Sequence, residues 1–235
     1  MAPKQVTAQL PPDFEWKQIA IWDKVHPYTM TGPIRIHALI ESVSYLVKND
    51  IPGDFLECGV FKGGSMMAVA LTLMSLGIKD RDLWLFDTFA GMPKPEEIDI
   101  NLHGKPAIER FSKHRIDDES STWVNVPLDE VKNAMALTGY PEEKIHYVKG
   151  MVEDTIPATT PESIALLRLD TDWYKSTKHE MDHLYPRVSS KGIVIIDDYA
   201  YFKGARKAVD DYLAENSLSP MLNRIDYAAR LIIKD

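Results

Sequence analysis

Apolar residues recur along the chain in two spacings, and the two spacings alternate. Short apolar or alternating runs, typical of strands, lie at residues 54–58, 83–86, 145–149, 163–169 and 192–196. Segments with the apolar stripe of an amphipathic helix lie at residues 33–48, 66–74, 128–137, 178–185 and 204–215. This alternation of strands and helices predicts an α/β domain on a mostly parallel sheet.

Two short apolar segments, 224–226 and 229–233, end the chain. They lie close together in sequence, whereas a parallel crossover needs about a dozen residues or more. We therefore expect these two segments to pair as antiparallel strands.

Two other segments lack this regularity. Residues 1–30 include Pro3, Pro11 and Pro12 and show no clear period, so an N-terminal arm is expected before a domain at residues 31–235. Residues 93–125 are rich in proline and acidic residues, which inside a compact domain is typical of a substrate lid. One short helix is expected there, near residues 107–114. On this lid, His103 and His114 are candidates for substrate contact, against the plainer interpretation as surface histidines.

The first apolar run ends at Glu57, and Gly59, Gly63 and Gly64 follow before a helical segment. A strand, a glycine-rich turn and a helix form the entry unit of nucleotide-type α/β folds, in which glycine lets the backbone approach a ligand closely. The spacing G-x-x-x-G-G matches neither the dinucleotide pattern G-x-G-x-x-G nor the phosphate loop. An acid-x-Gly opening suits a ligand with an ammonium group and a ribose. The alternative is a strand–helix turn that only packs on itself.

Four of the predicted strands end at acidic residues, namely Glu57, Asp87, Asp170 and the pair Asp197-Asp198. Carboxyl ends of parallel strands share one edge of the sheet, so we expect these carboxylates in one crevice. Crowded carboxylates raise one another's pKa unless positive charge compensates them. Asp170, Asp197 and Asp198 offer only oxygen ligands, which favours Mg²⁺ or Ca²⁺ over Zn²⁺. Helix capping or a solvated turn is the alternative for the Asp197-Asp198 pair.

Composition excludes several function classes. The chain has 235 residues and a net charge of −8 at pH 7, which argues against nucleic acid as the partner. Cys58 is the single cysteine, so no disulfide framework is expected. Neither a signal peptide nor a membrane-spanning run is recognisable, so we expect a cytoplasmic protein that does not bind membranes. Phe14, Trp16 and Trp22 could pack on a second subunit, so a homo-oligomer is a further expectation.

Several segments together resemble the macrocin O-methyltransferase family, S-adenosylmethionine-dependent enzymes that act on sugars of antibiotics. Residues 52–64, PGDFLECGVFKGG, resemble its first motif, and residues 85–93, LFDTFAGMP, resemble its second. Residues 167–177, LRLDTDWYKST, and 195–199, IIDDY, are similar to its metal-binding segments. The segments follow the family's order from about residue 28 to the C-terminus, but residues 93–125 match nothing in it.

The resemblance implies a class I methyltransferase fold. This is a Rossmann-like α/β sheet of seven strands, mostly parallel with the last antiparallel, with helices on both faces and a lid insertion. It agrees with the antiparallel C-terminal pair expected from the apolar pattern.

The resemblance also implies the cofactor S-adenosylmethionine, with Glu57 and Gly59 at its methionine portion and Asp87 at its ribose hydroxyls. Thr29 and Met30 would close over the methionine end. The full cofactor set that it implies is Thr29, Met30, Glu57, Cys58, Gly59, Val60, Phe61, Gly63, Ser65, Asp87, Thr88, Phe89, Gly91, Met151, Val152, Asp170 and Asp172. The metal set that it implies is Mg²⁺ on Asp170, Asp197 and Asp198.

The implied reaction is methyl transfer to a hydroxyl of a sugar or polyol acceptor on a glycosylated natural product. Sugar hydroxyls are poor nucleophiles at neutral pH, and a bound Mg²⁺ would orient the acceptor and lower the pKa of its hydroxyl. Asp170 is the first candidate for the catalytic base, and Asp172 and a lid histidine stay open.

Three alternatives remain at this point. The same fold and metal could serve a catechol-like vicinal diol, and the lid would decide between the two acceptors. A nicotinamide-dependent oxidoreductase is disfavoured because G-x-x-x-G-G lacks the pyrophosphate-binding glycines. A binding protein that kept the fold without catalysis is disfavoured because all three metal-binding acids are present.

Overall fold

The structure is a computed structural model, and it describes residues 10–235. The strands are β1 (Asp54–Cys58), β2 (Leu83–Asp87), β3 (Ile145–Lys149), β4 (Ile164–Leu169), β5 (Val188–Ile196), β6 (Asn223–Arg224) and β7 (Arg230–Ile233). The helices are α1 (Trp16–Val25), α2 (Pro33–Lys48), α3 (Gly64–Ser75), α4 (Ala107–His114), α5 (Leu128–Ala136), α6 (Val152–Thr155), α7 (Tyr174–Leu184) and α8 (Lys203–Glu215). Short 3₁₀ turns lie at His26–Tyr28, Glu142–Lys144 and Tyr185–Arg187.

The strands form one seven-stranded sheet in the order β3-β2-β1-β4-β5-β7-β6. Neighbouring strands from β1 to β5 pair in parallel, and β7 runs antiparallel to both β5 and β6. The predicted sheet, with its antiparallel C-terminal pair, is confirmed. Within residues 10–235, no helix combines the length and the apolar character needed to cross a membrane.

Both faces of the sheet are covered because side chains alternate between the faces along each strand. Phe55 and Leu85 pack with buried residues of α1, α2, α3 and α5. Leu56 and Phe86 belong to the cluster on the opposite face, which includes residues of α6, α7 and α8. Each residue of β4 is buried, as expected for a central strand of a parallel sheet.

The N-terminal region contains a helix that its irregular sequence did not predict. In α1, Ile21 and Val25 are buried in the same cluster as α2 and α3. Packing of this kind stabilises helices whose own sequence pattern is weak. Of the expected arm, residues 1–9 lie outside the described part. Trp16 is 73% exposed, whereas Trp22 packs against the core. The homo-oligomer stays a prediction.

Two elements begin four residues earlier than their patterns predicted. Helix α7 starts at Tyr174 rather than at residue 178, because the Asp99 carboxylate accepts the backbone N–H of Tyr174 at 2.9 Å. Strand β5 starts at Val188 rather than at residue 192, and its pairing with β4 shifts register between Ile164 and Leu166. The irregular part of β5 contains polar residues. For this reason the apolar pattern did not predict the beginning of the strand.

Residues 93–125 are anchored to the domain by a third apolar cluster and by a buried acid. Phe111 and Trp123 from this segment pack with Trp173 and Phe202. Asp99 is fully buried and accepts the N–H of Glu96 as well as that of Tyr174. The single helix expected near residues 107–114 is confirmed as α4.

We expect Gly204→Ala to destabilise the protein by about 2 kcal/mol or more, the usual effect of steric overpacking. A Cβ on Gly204 would overlap the Oδ1 atom of Asp99 and crowd the backbone nitrogen of Tyr174. Urea unfolding monitored by tryptophan fluorescence measures the effect. Gly32→Ala is the control, because a Cβ there meets nothing within 4 Å. Equal stability of the two variants would contradict the anchoring role of Asp99.

Candidate active site

A cavity of about 940 Å³ opens at the carboxyl edge of the sheet, against the 93–125 segment. Each parallel strand contributes a residue at or just beyond its end, namely Gly59, Asp87, Gly150, Asp170 and Asp197. The volume lies at the upper end of the range of roughly 300–1,000 Å³ that is typical of ligand sites. The cavity lies where open α/β sheets bind their ligands.

The predicted site residues divide into those that line this cavity and those that do not. The lining ones are Met30, Gly59, Phe61, Asp87, Thr88, Gly91, Met151, Val152, Asp170, Asp172, Asp197 and Asp198. The others are Thr29, Glu57, Cys58, Val60, Gly63, Ser65 and Phe89. Of the two candidate histidines, His114 lines the cavity and His103 does not.

The glycine turn after β1 packs tightly against the end of β4. Gly59 has φ +83°, and a Cβ on it would overlap the backbone carbonyl of Asp170. A residue with a side chain would therefore be both strained and too large here. Thr29 covers the start of α3, since a Cβ on Gly64 would lie 2.7 Å from the Thr29 Cβ.

Asp87 holds the glycine turn in place. Its Oδ2 accepts the backbone N–H groups of Val60 at 2.7 Å and Phe61 at 3.3 Å. Its Oδ1 accepts the N–H of Phe89 at 2.7 Å. The carboxylate thus ties the turn after β1 to the turn after β2. Sequence reasoning assigned it only a ligand contact.

Arg168, next to the carboxyl end of β4, carries the positive charge that the crowded acids require. Its Nη1 donates to Glu57 and, at 2.8 Å, to Asp170. Its Nη2 donates to Asp197 at 2.5 Å and to the Thr31 hydroxyl at 3.0 Å. Burial alone would lower the pKa of Arg168, but Asp170, Asp197 and Glu57 outweigh it and hold that pKa well above its ordinary value.

Glu57 lies beneath the cavity rather than in its wall. Burial raises the pKa of Glu57 to about 7, although Arg168 acts in the opposite direction. Its Oε2 is buried and has no hydrogen-bond partner among the described residues.

Asp197 is shared between two arginines. Arg168 engages its Oδ1, and Nη1 of Arg35 donates to its Oδ2. The Nε of Arg35 also donates to Asp226 at 2.8 Å, which ties α2 to the segment before β7. Both oxygens of Asp197 thus face guanidinium groups.

Asp170, Asp172 and Asp198 form a separate acidic cluster. One carboxylate oxygen from each lies within 4.8 Å of the others, and all three residues are half-buried. Burial raises the pKa of each, and the neighbouring acids add to the effect. Asp172 has φ +70°, a backbone conformation that Asp adopts more readily than most residues do. The structure therefore groups Asp172, rather than Asp197, with Asp170 and Asp198.

Comparisons with known proteins agree with this architecture. Residues 12–233 match the family described as Macrocin-O-methyltransferase (TylF). The chain belongs to the macrocin O-methyltransferase family. It is therefore an O-methyltransferase, as the sequence motifs predicted, and the oxidoreductase alternative loses its basis.

Individual relatives of this methyltransferase cover most of its length. It is 31% identical to demethyldecarbamoylnovobiocin O-methyltransferase of Streptomyces niveus, over 85% of this chain and 72% of that one. It is 32% identical to 8-demethyl-8-(2,3-dimethoxy-alpha-L-rhamnosyl)-tetracenomycin-C 4'-O-methyltransferase of Streptomyces olivaceus, over 90% and 75%. The solved structure of the O-methyltransferase NovP matches with a TM-score of 0.76 at 29% identity, covering 88% of this chain and 82% of that chain.

A second buried carboxyl group supports the acidic cluster of the methyltransferase from behind. Both oxygens of Glu180, on α7, accept from the Thr171 hydroxyl, at 2.9 and 3.1 Å. Thr171 stands between Asp170 and Asp172 in sequence. Burial raises the pKa of Glu180 to about 8. Glu180 thus fixes the turn that presents the two aspartates.

Sequence reasoning missed Arg168, Arg35 and Glu180 as parts of this site. Arg168 gave one signal, because a charged residue within an otherwise apolar central strand needs buried partners. Glu180 and Arg35 gave none, since both lie on helices with ordinary polar faces. Only the tertiary structure shows which face each helix turns toward the site.

We expect Arg168→Met to lower the free energy of unfolding of the methyltransferase by about 3–5 kcal/mol at pH 7, the usual effect of breaking a buried ion pair. Glu57, Asp170 and Asp197 would lose a shared partner, and their pKa values would rise. The deficit should shrink as the pH falls, because the folded variant then binds protons more tightly than the unfolded chain. Urea unfolding at pH 5 and pH 7 tests this. Arg206→Met is the control, since its pair with Asp210 is exposed and worth at most about 1 kcal/mol.

Glu180→Gln should flatten the pH dependence of stability. The pKa of Glu180 is about 8 in the folded protein and 4.5 in the unfolded reference. Its contribution is therefore complete below pH 4.5 and is lost as the pH rises toward 8. Urea unfolding from pH 5 to pH 8 should show a slope reduced by up to about 1.4 kcal/mol per pH unit in the variant. Exposed Glu162→Gln should keep the wild-type slope, and a wild-type slope in Glu180→Gln would refute the assignment.

Proposed function

We propose that the protein is an S-adenosylmethionine-dependent and Mg²⁺-dependent O-methyltransferase acting on a hydroxyl of a sugar carried by a glycosylated natural product. The observation that carries this proposal is the acidic cluster of Asp170, Asp172 and Asp198, which shares one cavity with Gly59 and Asp87. A donor site and an acceptor site in one cavity are what methyl transfer requires.

The choice of acceptor is supported by the relatives. The Streptomyces olivaceus enzyme acts, as its name says, on a rhamnosyl group attached to a tetracenomycin. We transfer only the acceptor class, a sugar hydroxyl, to this protein. A catechol-like diol could offer its oxygens to the same acidic cluster, so the acceptor assays include one.

The cofactor would lie between the glycine turn and the turn after β2. Gly59, Phe61 and Met30 line the part of the cavity that we assign to the methionine portion, with Glu57 beneath it. The Asp87 carboxylate accepts three backbone N–H groups. Its remaining lone pairs would accept hydrogen bonds from the ribose hydroxyls. Thr88, Met151 and Val152 line the part that we assign to adenine.

The acidic cluster fits Mg²⁺ by the chemistry of its donors. Three carboxylates without nitrogen or sulfur ligands match the preference of hard cations. Burial raises the pKa values of these carboxyl groups, and repulsion between the neighbouring acids adds to the effect. A divalent cation would relieve that repulsion. We propose Asp170, Asp172 and Asp198 as the ligands. Asp197, expected in this set from sequence, would instead hold Arg35 and Arg168 in place.

When bound, S-adenosylmethionine would supply an activated methyl group, and Mg²⁺ would make the acceptor hydroxyl more acidic. The residues of the chain orient the acceptor and receive its proton. Asp170 remains the proposed base, because Arg168 engages only its Oδ2 and leaves Oδ1 available. Asp172 is the second candidate. The 93–125 segment would act as the lid that covers the acceptor and excludes water.

Calorimetric titration with S-adenosylmethionine and S-adenosylhomocysteine, with and without Mg²⁺, tests the cofactor. Asp198→Asn should leave the affinity for S-adenosylhomocysteine unchanged and lower methyl transfer by at least about a hundredfold, because Mg²⁺ contributes several kcal/mol to such reactions. Chelation of Mg²⁺ by EDTA should have the same effect on the wild type. Asp129→Asn is the control, an exposed acid-to-amide change outside the cavity.

Each result bears on a different part of the proposal. Failure of both cofactor forms to bind would refute the S-adenosylmethionine site. Full turnover by Asp198→Asn or in EDTA would refute the metal site alone. Assays with paired glycosides and catechols show which acceptor class is methylated.

A further inference from the structure

The 93–125 segment places a group of cations at the mouth of the cavity. Lys105, Arg110 and Lys113, here called the cationic rim, all line the cavity and are exposed. Arg110, Lys113 and His114 follow helical spacing, so they share one face of α4. Glu109 is the acidic residue of α4 that also lines the cavity. The rim therefore keeps an excess of positive charge.

This rim stands out because the remaining charge of the protein has the opposite sign. The chain has a net charge of −8, and the acidic cluster lines the same cavity. Arg35 and Arg168, which line or underlie that cavity, are neutralised by buried carboxylates. Across residues 10–235, no carboxylate lies within ion-pair distance of Lys105, Arg110 or Lys113. Their charge is available to a ligand.

Arg110 is held in place, and its positive charge remains available to a ligand. Its guanidinium lies 4.7 Å from the ring centroid of Trp123, which is buried and packs against Trp173 at 5.5 Å. Stacking of this kind fixes the guanidinium plane and leaves its N–H edge free to donate. A planar fork of donors suits a phosphate or a carboxylate.

We propose that the cationic rim binds an anionic group of the acceptor, a phosphate ester or a carboxylate, while the acidic cluster holds the reacting hydroxyl. This inference rests on the proposed function and narrows its substrate class to sugars that carry negative charge. Opposite charges on separate elements lining one cavity would orient the acceptor within it. A neutral glycoside would bind more weakly, because it leaves the rim without a partner.

The first test is calorimetric titration with inorganic pyrophosphate in EDTA, so that binding cannot occur through a metal. The protein is saturated with S-adenosylhomocysteine. We expect the double variant Arg110→Glu/Lys113→Glu to weaken pyrophosphate binding by roughly tenfold or more, since each lost charged contact is worth about that much. Lys17→Glu/Lys24→Glu is the matched control, because it reverses two exposed charges on α1 outside the cavity. Equal pyrophosphate affinity in wild type and double variant would overturn the proposal.

The second test compares glucose 1-phosphate, glucuronic acid and methyl glucoside under the same conditions. Tighter binding of the first identifies a phosphate ester as the preferred anion, and tighter binding of the second identifies a carboxylate. If neither anion binds more tightly than methyl glucoside, the proposal is wrong. The affinity for S-adenosylhomocysteine, measured on each protein, reports separately on the methyltransferase site. If the wild type does not bind S-adenosylhomocysteine, the proposed function is refuted, but the pyrophosphate result still stands.

Discussion

The site depends on one buried guanidinium, that of Arg168, which stands among the acids at the carboxyl edge of the sheet. A parallel sheet brings its strand ends together, so the acids at or just beyond the ends of β1, β4 and β5 lie close to one another. Arg168 contacts Glu57, Asp170 and Asp197 from within β4. It also holds Thr31, just before α2. The same cation therefore relieves the repulsion and fixes the N-terminal segment over the cavity.

The two arginines divide the acids into two functional groups. Arg168 and Arg35 use both oxygens of Asp197, so that residue serves the structure of the edge. Among residues 10–235, Asp172 and Asp198 form no ion pair, and Asp170 shares Arg168 with Glu57 and Asp197. The charge left over is thus concentrated on three carboxylates at one point of the cavity. A divalent cation is the simplest group that would neutralise it, which is the physical basis of the proposed metal site.

Local sequence patterns were enough for most of the fold and for part of the site. The alternating strands and helices, the antiparallel C-terminal pair and helix α4 follow from the spacing of apolar residues, and spacing is a local property. The pairing of Arg35 with Asp197 joins residues 162 positions apart, and no local pattern encodes it. The early start of α7 similarly depends on Asp99, from a segment without periodicity. Sequence reasoning therefore placed Asp87, Asp170, Asp197 and Asp198 around one cavity. It predicted neither the grouping of Asp172 with Asp170 and Asp198 nor the cations that neutralise the other acids.

Residues 93–125, which show no periodicity, are fixed to the domain at a few anchoring positions and can vary in sequence at others. Asp99, Phe111 and Trp123 anchor residues 93–125 to α7 and α8 through a buried carboxylate and an apolar cluster. Between these anchors Ala107 and Ser121 are buried, whereas Lys105 and Lys113 are exposed. Their substitution would change the charge of the cavity mouth without disturbing the core. The groups at the carboxyl edge of the sheet can thus carry out the same reaction, while the residues at the cavity mouth determine which acceptor reaches them.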